Sequence, residues 1–293
     1  MRGNTEGGCE VNGIIRVFPE ITSFTPTDEM VCSDCPEFKD GGYVPEHREV
    51  HVCCVFTWDK PKAEWLYSQW KEMTDKPVKL GGPAYDDPGQ EYEPGMYVRH
   101  GITFTSRGCP NNCSFCFVPK REGKIRELEI KAGNEIQDNN FLACSDVHRR
   151  KVYEMLSKQK AIRFVGGLEA ARLTDWDIEE LRKLRIKELW IACDSDNHIK
   201  TTTKAINKLV KAGFVDRKGN PARDKIRCYA LIGDDISKNE ARLRKIFECG
   251  ALPFAQLYQP AEKINYSSEW KRLATTWSRP AATMAHMKAV KEG

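Results

Sequence analysis

The chain is 293 residues long, 40% hydrophobic and 30% charged, with a formal net charge of +4. That length supplies apolar material for one large or two smaller globular domains. No apolar run approaches the ~20 residues of a membrane span, so no membrane partner is expected, and the charge lacks the strong basic excess of a dedicated nucleic-acid binder.

Twelve cysteines occur in a chain whose opening residues, MRGNTEGGCEVNG, have no apolar core. A secreted disulfide scaffold would carry a leader and be short; a reducing, cytoplasmic location is expected instead. In chain order, residues 14–18 (IIRVF) and 49–57 (EVHVCCVFT) are β-branched and aromatic runs that predict strands. Residues 62–73 place Ala63, Leu66, Trp70 and Met73 on one helical face, and residues 77–80 predict a further strand closing on Gly81-Gly82-Pro83. Together these predict a small α/β domain over residues 1–98. Cys32 and Cys35 form a Cys-x2-Cys pair within it. With Cys9, or with Cys53 and Cys54, they could hold zinc or a second cluster; two free thiols in a loop is the plainer reading.

From Gly101 onward strand and helix signals alternate. Strands are predicted at 102–105, at 134–141, at 161–165 before Gly166-Gly167, at 188–193 before Asp194-Ser195, at 226–232 before Gly233-Asp234-Asp235, and at 252–258. Between them, Thr174-x-x-Asp177 is a capping box followed by Ile178, Leu181 and Leu184 on one face. A helix over 204–212 carries Ile206, Leu209 and Val210 and stops at Gly213. Ser237-x-x-Glu240 is a second capping box, before Leu243, Ile246 and Phe247. Such alternation predicts a parallel sheet with right-handed crossovers. Residues 99–265 are too few for an eight-unit barrel of about 250 residues, so the fold class is α/β with a partial (β/α)6 TIM-like barrel. The tail, 266–293, reads as two helices broken at Arg279-Pro280, with Trp270, Leu273 and Trp277 on one packing stripe.

The segment TSRGCPNNCSFCFVP, residues 105–119, carries Cys109, Cys113 and Cys116 as Cys-x3-Cys-x2-Cys. Three thiolates on one loop can hold three irons of a cubic 4Fe-4S cluster and leave the fourth iron open to a reactant. Zinc is the alternative, but a structural zinc site closes its tetrahedron with a fourth ligand, and none follows at the usual spacing. The six histidines are scattered. Cys144, Cys193, Cys228 and Cys249 fall in apolar elements and read as small core residues.

On these residues the chain resembles the radical S-adenosylmethionine (SAM) enzymes. Phe115, before the last cysteine, matches the bulky residue of that signature; Arg107-Gly108 and the filler Pro110-Asn111-Asn112 are most similar to the cobalamin-binding and methylthiotransferase-like branches. The resemblance implies a 4Fe-4S cluster on Cys109, Cys113 and Cys116, with SAM chelated to the open iron. Reductive cleavage of SAM would give a 5′-deoxyadenosyl radical that takes hydrogen from a substrate of undetermined class, whether small molecule, peptide or nucleic acid. It also implies a reductant such as flavodoxin or ferredoxin, and a site at the C-terminal ends of the barrel strands.

There, besides Phe115, the implied cofactor-binding positions are Asp138 or Glu169 for the amino group and Asp194 or Ser195 for the ribose or carboxylate. Gly166 and Gly167 would allow close backbone approach, and Ile232 and Gly233 would lie along the adenine. Polar residues after strands are also ordinary helix caps, so both readings stay open. The N-terminal domain is similar to a shortened cobalamin-binding domain, but the Asp-x-His-x-x-Gly motif that supplies a cobalt ligand is absent; a degenerate domain is expected, and cobalamin is not. Two other functions stay open: a cobalamin-dependent radical methylase or methylthiotransferase-like modifier of nucleic acid or protein, and a non-catalytic iron–sulfur or zinc-binding protein. No C-terminal β-barrel like that of methylthiotransferases is expected in residues 266–293, which weighs against tRNA modification.

Overall fold

In the computed structural model, which describes residues 13–35, 44–87, 92–260 and 262–292, the chain divides into two units, Met1–Ile102 and Thr103–Gly293. Each has its own apolar core. Cys9 lies outside the described residues.

The first unit contains β1 (Ile14–Val17), β2 (Val31–Cys32), β3 (Glu49–Cys53), α1 (Lys60–Met73) and β4 (Val78–Gly81). Among the described residues the strands form one sheet in the order β2-β1-β3-β4, and every pair is parallel. The order reverses at β1, as in doubly wound sheets. Helix α1 buries Ala63, Leu66 and Trp70 against Ile15, Val17, Val50 and Val52. Met73, expected on the same face, is instead 40% exposed at the last position of the helix. Arg16 is fully buried between these apolar neighbours. Its Nη1 donates to the carbonyls of Gly95 and Met96 at 3.1 and 2.9 Å and its Nη2 to Asp28, while its buried Nε has no partner; the opposite charge of Asp28 is what a buried cation requires.

Strand β5 (Ile102–Thr103) falls on the boundary, and the second unit goes on with β6 (Ser106–Arg107), α2 (Val118–Arg121), β7 (Arg126–Glu127), β8 (Glu135–Ile136), α3 (Asp146–Ser157) and β9 (Ile162–Leu168). It continues with α4 (Asp175–Lys183), β10 (Ile186–Ala192), α5 (Ile199–Lys211), β11 (Ile226–Ile232), α6 (Ile236–Glu248), β12 (Leu252–Leu257), α7 (Ser268–Ser278) and α8 (Pro280–Glu292). Its main sheet has the order β12-β11-β10-β9-β8-β5. The pairs from β8 to β12 are parallel. From β8 to β12 each strand therefore lies beside the next one in the chain, and the carboxyl ends of these parallel strands fall on one edge; β6 and β7 pair separately. The protein is thus a mixed α/β fold with parallel sheets.

One face of this sheet carries Phe164, Leu189, Ile191, Cys228 and Ile232 into a core shared with α3 to α6. Leu273, Trp277 and Met287 bring α7 and α8 into the same core, so the tail helices belong to this unit. The opposite face is polar and aromatic. Arg163 is held between Glu135 and Glu188 at 2.8 and 2.9 Å, and Trp190 stacks on Tyr229 at 4.3 Å.

The Thr174 capping box forms as expected. At α6 the cap is Asp235, whose carboxylate accepts from the Lys238 amide; the Ser237 box does not form, because the chain is already helical there. Helix α3, whose Ser145 cap accepts from the His148 amide, had no sequence expectation. Among the described residues no helix is long and apolar enough to cross a membrane.

Candidate functional site

The cysteine loop leaves the sheet after β5 and is closed at its base. Ser106 and Arg107 of β6 pair antiparallel with Glu127 and Arg126 of β7. Just inside this neck the Cys109 amide donates to the Gly123 carbonyl at 3.1 Å. Gly108 sits at φ +83°, and a Cβ there would run into the Lys124 carbonyl; only glycine fits. Arg107 pairs with the buried Glu122 at 3.1 Å and stacks over Phe104 at 4.2 Å.

Three consecutive residues after β8 grip this base. Asp138 accepts from the Thr105 amide at 2.6 Å, the Thr105 hydroxyl at 2.5 Å and the Ser106 hydroxyl at 2.8 Å. Asn139 accepts from the Gly108 amide at 2.9 Å. Asn140 donates to the Cys109 sulfur at 3.4 Å. These commitments accompany the contraction of the strand expected over 134–141 to Glu135–Ile136: the side chains of Asp138, Asn139 and Asn140 bond sideways into the loop.

Within the loop, the Cys116 amide donates to the Cys113 carbonyl at 3.0 Å, and the Asn111 amide donates to the Cys109 sulfur at 3.5 Å. Cys109 and Cys113 are half-buried and Cys116 is exposed. The Cys113 thiol is pushed above its ordinary range, first by burial and then by Cys116, Cys109, Asp194 and Glu169. Burial likewise raises Cys116, with Cys109 adding to the shift and the Val118 amide opposing it. Among the described residues no three His, Cys, Asp or Glu side chains are gathered as a cage for a single metal ion.

No family model matches the chain, and no curated protein matches it.

The remaining expected positions fall as follows. Glu169 is half-buried, and its Oε2 accepts from Asn140 at 2.6 Å and from Arg172 at 2.7 Å. Asp194 accepts from the Leu231 amide at 3.0 Å, and burial raises its carboxyl above the usual range against that bond. Ser195 is half-buried and opens the turn Asp196–His198, accepting from the His198 amide at 3.0 Å. Phe115 is half-buried inside the loop. Gly167, at φ +98°, has open space where a side chain would be. Gly166 does not: the backbone of Gln137 and Asp138 packs against its bare Cα, so close strand packing accounts for that glycine.

Asp138 is 1% exposed with its oxygens committed to Thr105 and Ser106. It braces the loop rather than facing outward. Ile232 turns into the helix-covered core at 1% exposure, and its carbonyl accepts from the Tyr258 amide at 2.9 Å. Side-chain alternation along β11 sends its neighbours to the other face. Gly233 faces the Tyr266 hydroxyl, 2.6 Å from where a Cβ would stand, and that hydroxyl donates to the Tyr258 carbonyl at 2.7 Å.

The Asp138-Asn139-Asn140 run after the second predicted strand marks Asn140 from sequence as a strand-end residue, though not its link to Cys109. Arg172, Glu122 and Tyr266 have no local signature and were not singled out.

Proposed function

We propose that the chain is a radical SAM enzyme that holds a 4Fe-4S cluster on Cys109, Cys113 and Cys116. The observation that carries this reading is a loop closed at its base that carries all three cysteines and is tied through Asn140 to Glu169 at a strand end. Thiolates are the soft donors that iron–sulfur clusters take. The donor set fits in a further respect. The Cys109 sulfur receives N–H groups from Asn111 and Asn140, the outer hydrogen bonds that support a ligating sulfur.

When bound, the cluster and SAM supply one chemistry, the one-electron cleavage of the sulfonium to methionine and a 5′-deoxyadenosyl radical. The chain's own residues bind and orient. Glu169 offers a partly exposed carboxylate to a ligand ammonium. Asp194, following β10, is the residue we assign to the ribose or carboxylate side of the cofactor. Gly167 leaves room for close approach. The chain-ordered sheet supports a partial (β/α)6 barrel, in which the strand ends form the site. A low-potential donor such as flavodoxin or ferredoxin supplies the electron, and the polar and aromatic face of the sheet faces the substrate.

Anaerobic reconstitution followed by iron and sulfide analysis tests the cluster. Reduction with dithionite in the presence of SAM, with chromatography for 5′-deoxyadenosine, tests the chemistry. A protein that takes up the cluster and yields no 5′-deoxyadenosine sinks the enzyme reading.

A further inference from the structure

Asn140 stands between the cysteine loop and the strand end that carries Glu169, and it is 3% exposed. Its Nδ2 lies 3.4 Å from the Cys109 sulfur and 2.6 Å from Glu169 Oε2. An amide nitrogen has two hydrogens, so one group serves a thiol and a carboxylate at once. Its Oδ1 is buried and has no hydrogen-bond partner, which leaves the amide anchored through Nδ2. Arg172 donates to the same Glu169 oxygen at 2.7 Å. The Glu169 side chain keeps 24% exposure, so one carboxylate is open both to the buried amide and to an arriving cation.

An N–H aimed at a ligating sulfur draws charge from it and favours the more negative, reduced state of a cluster. How strongly Asn140 does so depends on how strongly Glu169 competes for the same nitrogen. An ammonium bound at Glu169 adds a charged donor to an oxygen that already accepts two. The hold of the carboxylate on Nδ2 weakens, and the amide turns toward the sulfur.

We infer that Asn140 couples the binding of an amine at Glu169 to the reduction potential of a cluster on Cys109, Cys113 and Cys116. The inference rests on the functional reading above. Asn140 is a positioning residue in it, acting through a ligand sulfur. The reduction concerned is a one-electron step: the cluster gains an electron, the reductant loses one, and no bond or proton is transferred. An amine-bearing ligand would thereby make its own cluster easier to reduce, and idle reduction in its absence would be held back.

The test compares the reconstituted full chain with Asn140→Leu, which removes both N–H donors at similar size, and with Asn140→Asp, which keeps the shape and reverses the polarity. Each is titrated anaerobically with titanium(III) citrate, with and without SAM, following the electron paramagnetic resonance signal of the reduced cluster. Iron per chain confirms equal loading. Without SAM, both variants should show a roughly tenfold lower ratio of reduced to oxidised cluster at a fixed potential, about 59 mV for one electron. SAM should raise the wild-type potential, and most of that rise should vanish in both variants. Variants that match the wild type with and without SAM overturn the inference and leave the enzyme reading standing. A wild-type protein that takes up no cluster overturns both.

Discussion

Asp138 accepts hydrogen bonds from both the amide and the hydroxyl of Thr105, at 2.6 and 2.5 Å. The carboxylate is buried, and burial pushes its pKa up while these bonds pull it down. Asp138→Ala leaves the Thr105 amide and the Thr105 and Ser106 hydroxyls unsatisfied. A loss of about 3 kcal/mol is expected from groups that each cost about 1–3 kcal/mol when orphaned. The urea midpoint should fall, and iron retained after reconstitution should fall several-fold because the base of the cysteine loop is slack. An unchanged midpoint would remove the bracing role assigned to Asp138.

The cysteines separate by position. Cys113→Ala should abolish the visible absorbance of the reconstituted cluster. Cys144 is 6% exposed, and burial lifts its thiol to about 11; Cys228 is fully buried. Cys144→Ala and Cys228→Ala should keep wild-type iron content. Loss of iron in either, with the fold intact by circular dichroism, would mean that the ligand set is wrong.

Asp177 is fully buried and closes the Thr174 capping box while pairing with Arg149 and accepting from the Tyr153 hydroxyl at 3.0 Å. Removing Asp177 leaves the buried Arg149 with only the exposed Asp146 as a charge partner, so the cost lies near the lower end of the ~3–5 kcal/mol of a broken buried pair. Asp177→Ala should lower stability by that amount in denaturant melts, and Tyr153→Phe by about 1 kcal/mol. A double variant that is no worse than Asp177→Ala alone would show that the two act as one network.

Stability should fall at high pH. Burial pushes the thiols of Cys53 and Cys54 up to about 12 and about 11 from an ordinary 9.0. Their folded pKa values are raised, so the unfolded chain releases these protons first. Their contribution is fully present below about pH 9 and is lost as pH rises toward the folded values. Denaturant melts at about pH 8 and about pH 10.5 should show this drop in the wild type and a smaller one in the Cys53→Ala, Cys54→Ala double variant. Parallel slopes would assign the drop to other groups.

Some of this was legible from residues alone. Strand β11 alternates buried and half-buried positions over all of Ile226–Ile232, and its apolar composition made it readable. The cysteine spacing was legible because three cysteines on one loop need no tertiary knowledge to be read together. Helix α3 was not: its apolar face of Val152, Tyr153 and Leu156 is thin, and it hides a buried Arg149 held by Asp177 of another helix and by Asp146. The links from Asn140 to Cys109 and Glu169 span 31 and 29 residues. No periodicity records such pairings; they exist only once neighbouring strands bring their ends together. Ile232 shows a subtler limit, since naming a strand end does not say which of two adjacent side chains faces the site.

The pairing of Ser106 and Arg107 with Glu127 and Arg126 puts the start and the finish of the cysteine segment side by side. A segment with adjoining ends is a natural cassette: its interior can be lengthened, shortened or relined without shifting the register of the strands that carry it. Grafting it onto another parallel sheet would require a matching two-strand stem, and Gly108 would have to travel with it, because any side chain there collides with the Lys124 carbonyl.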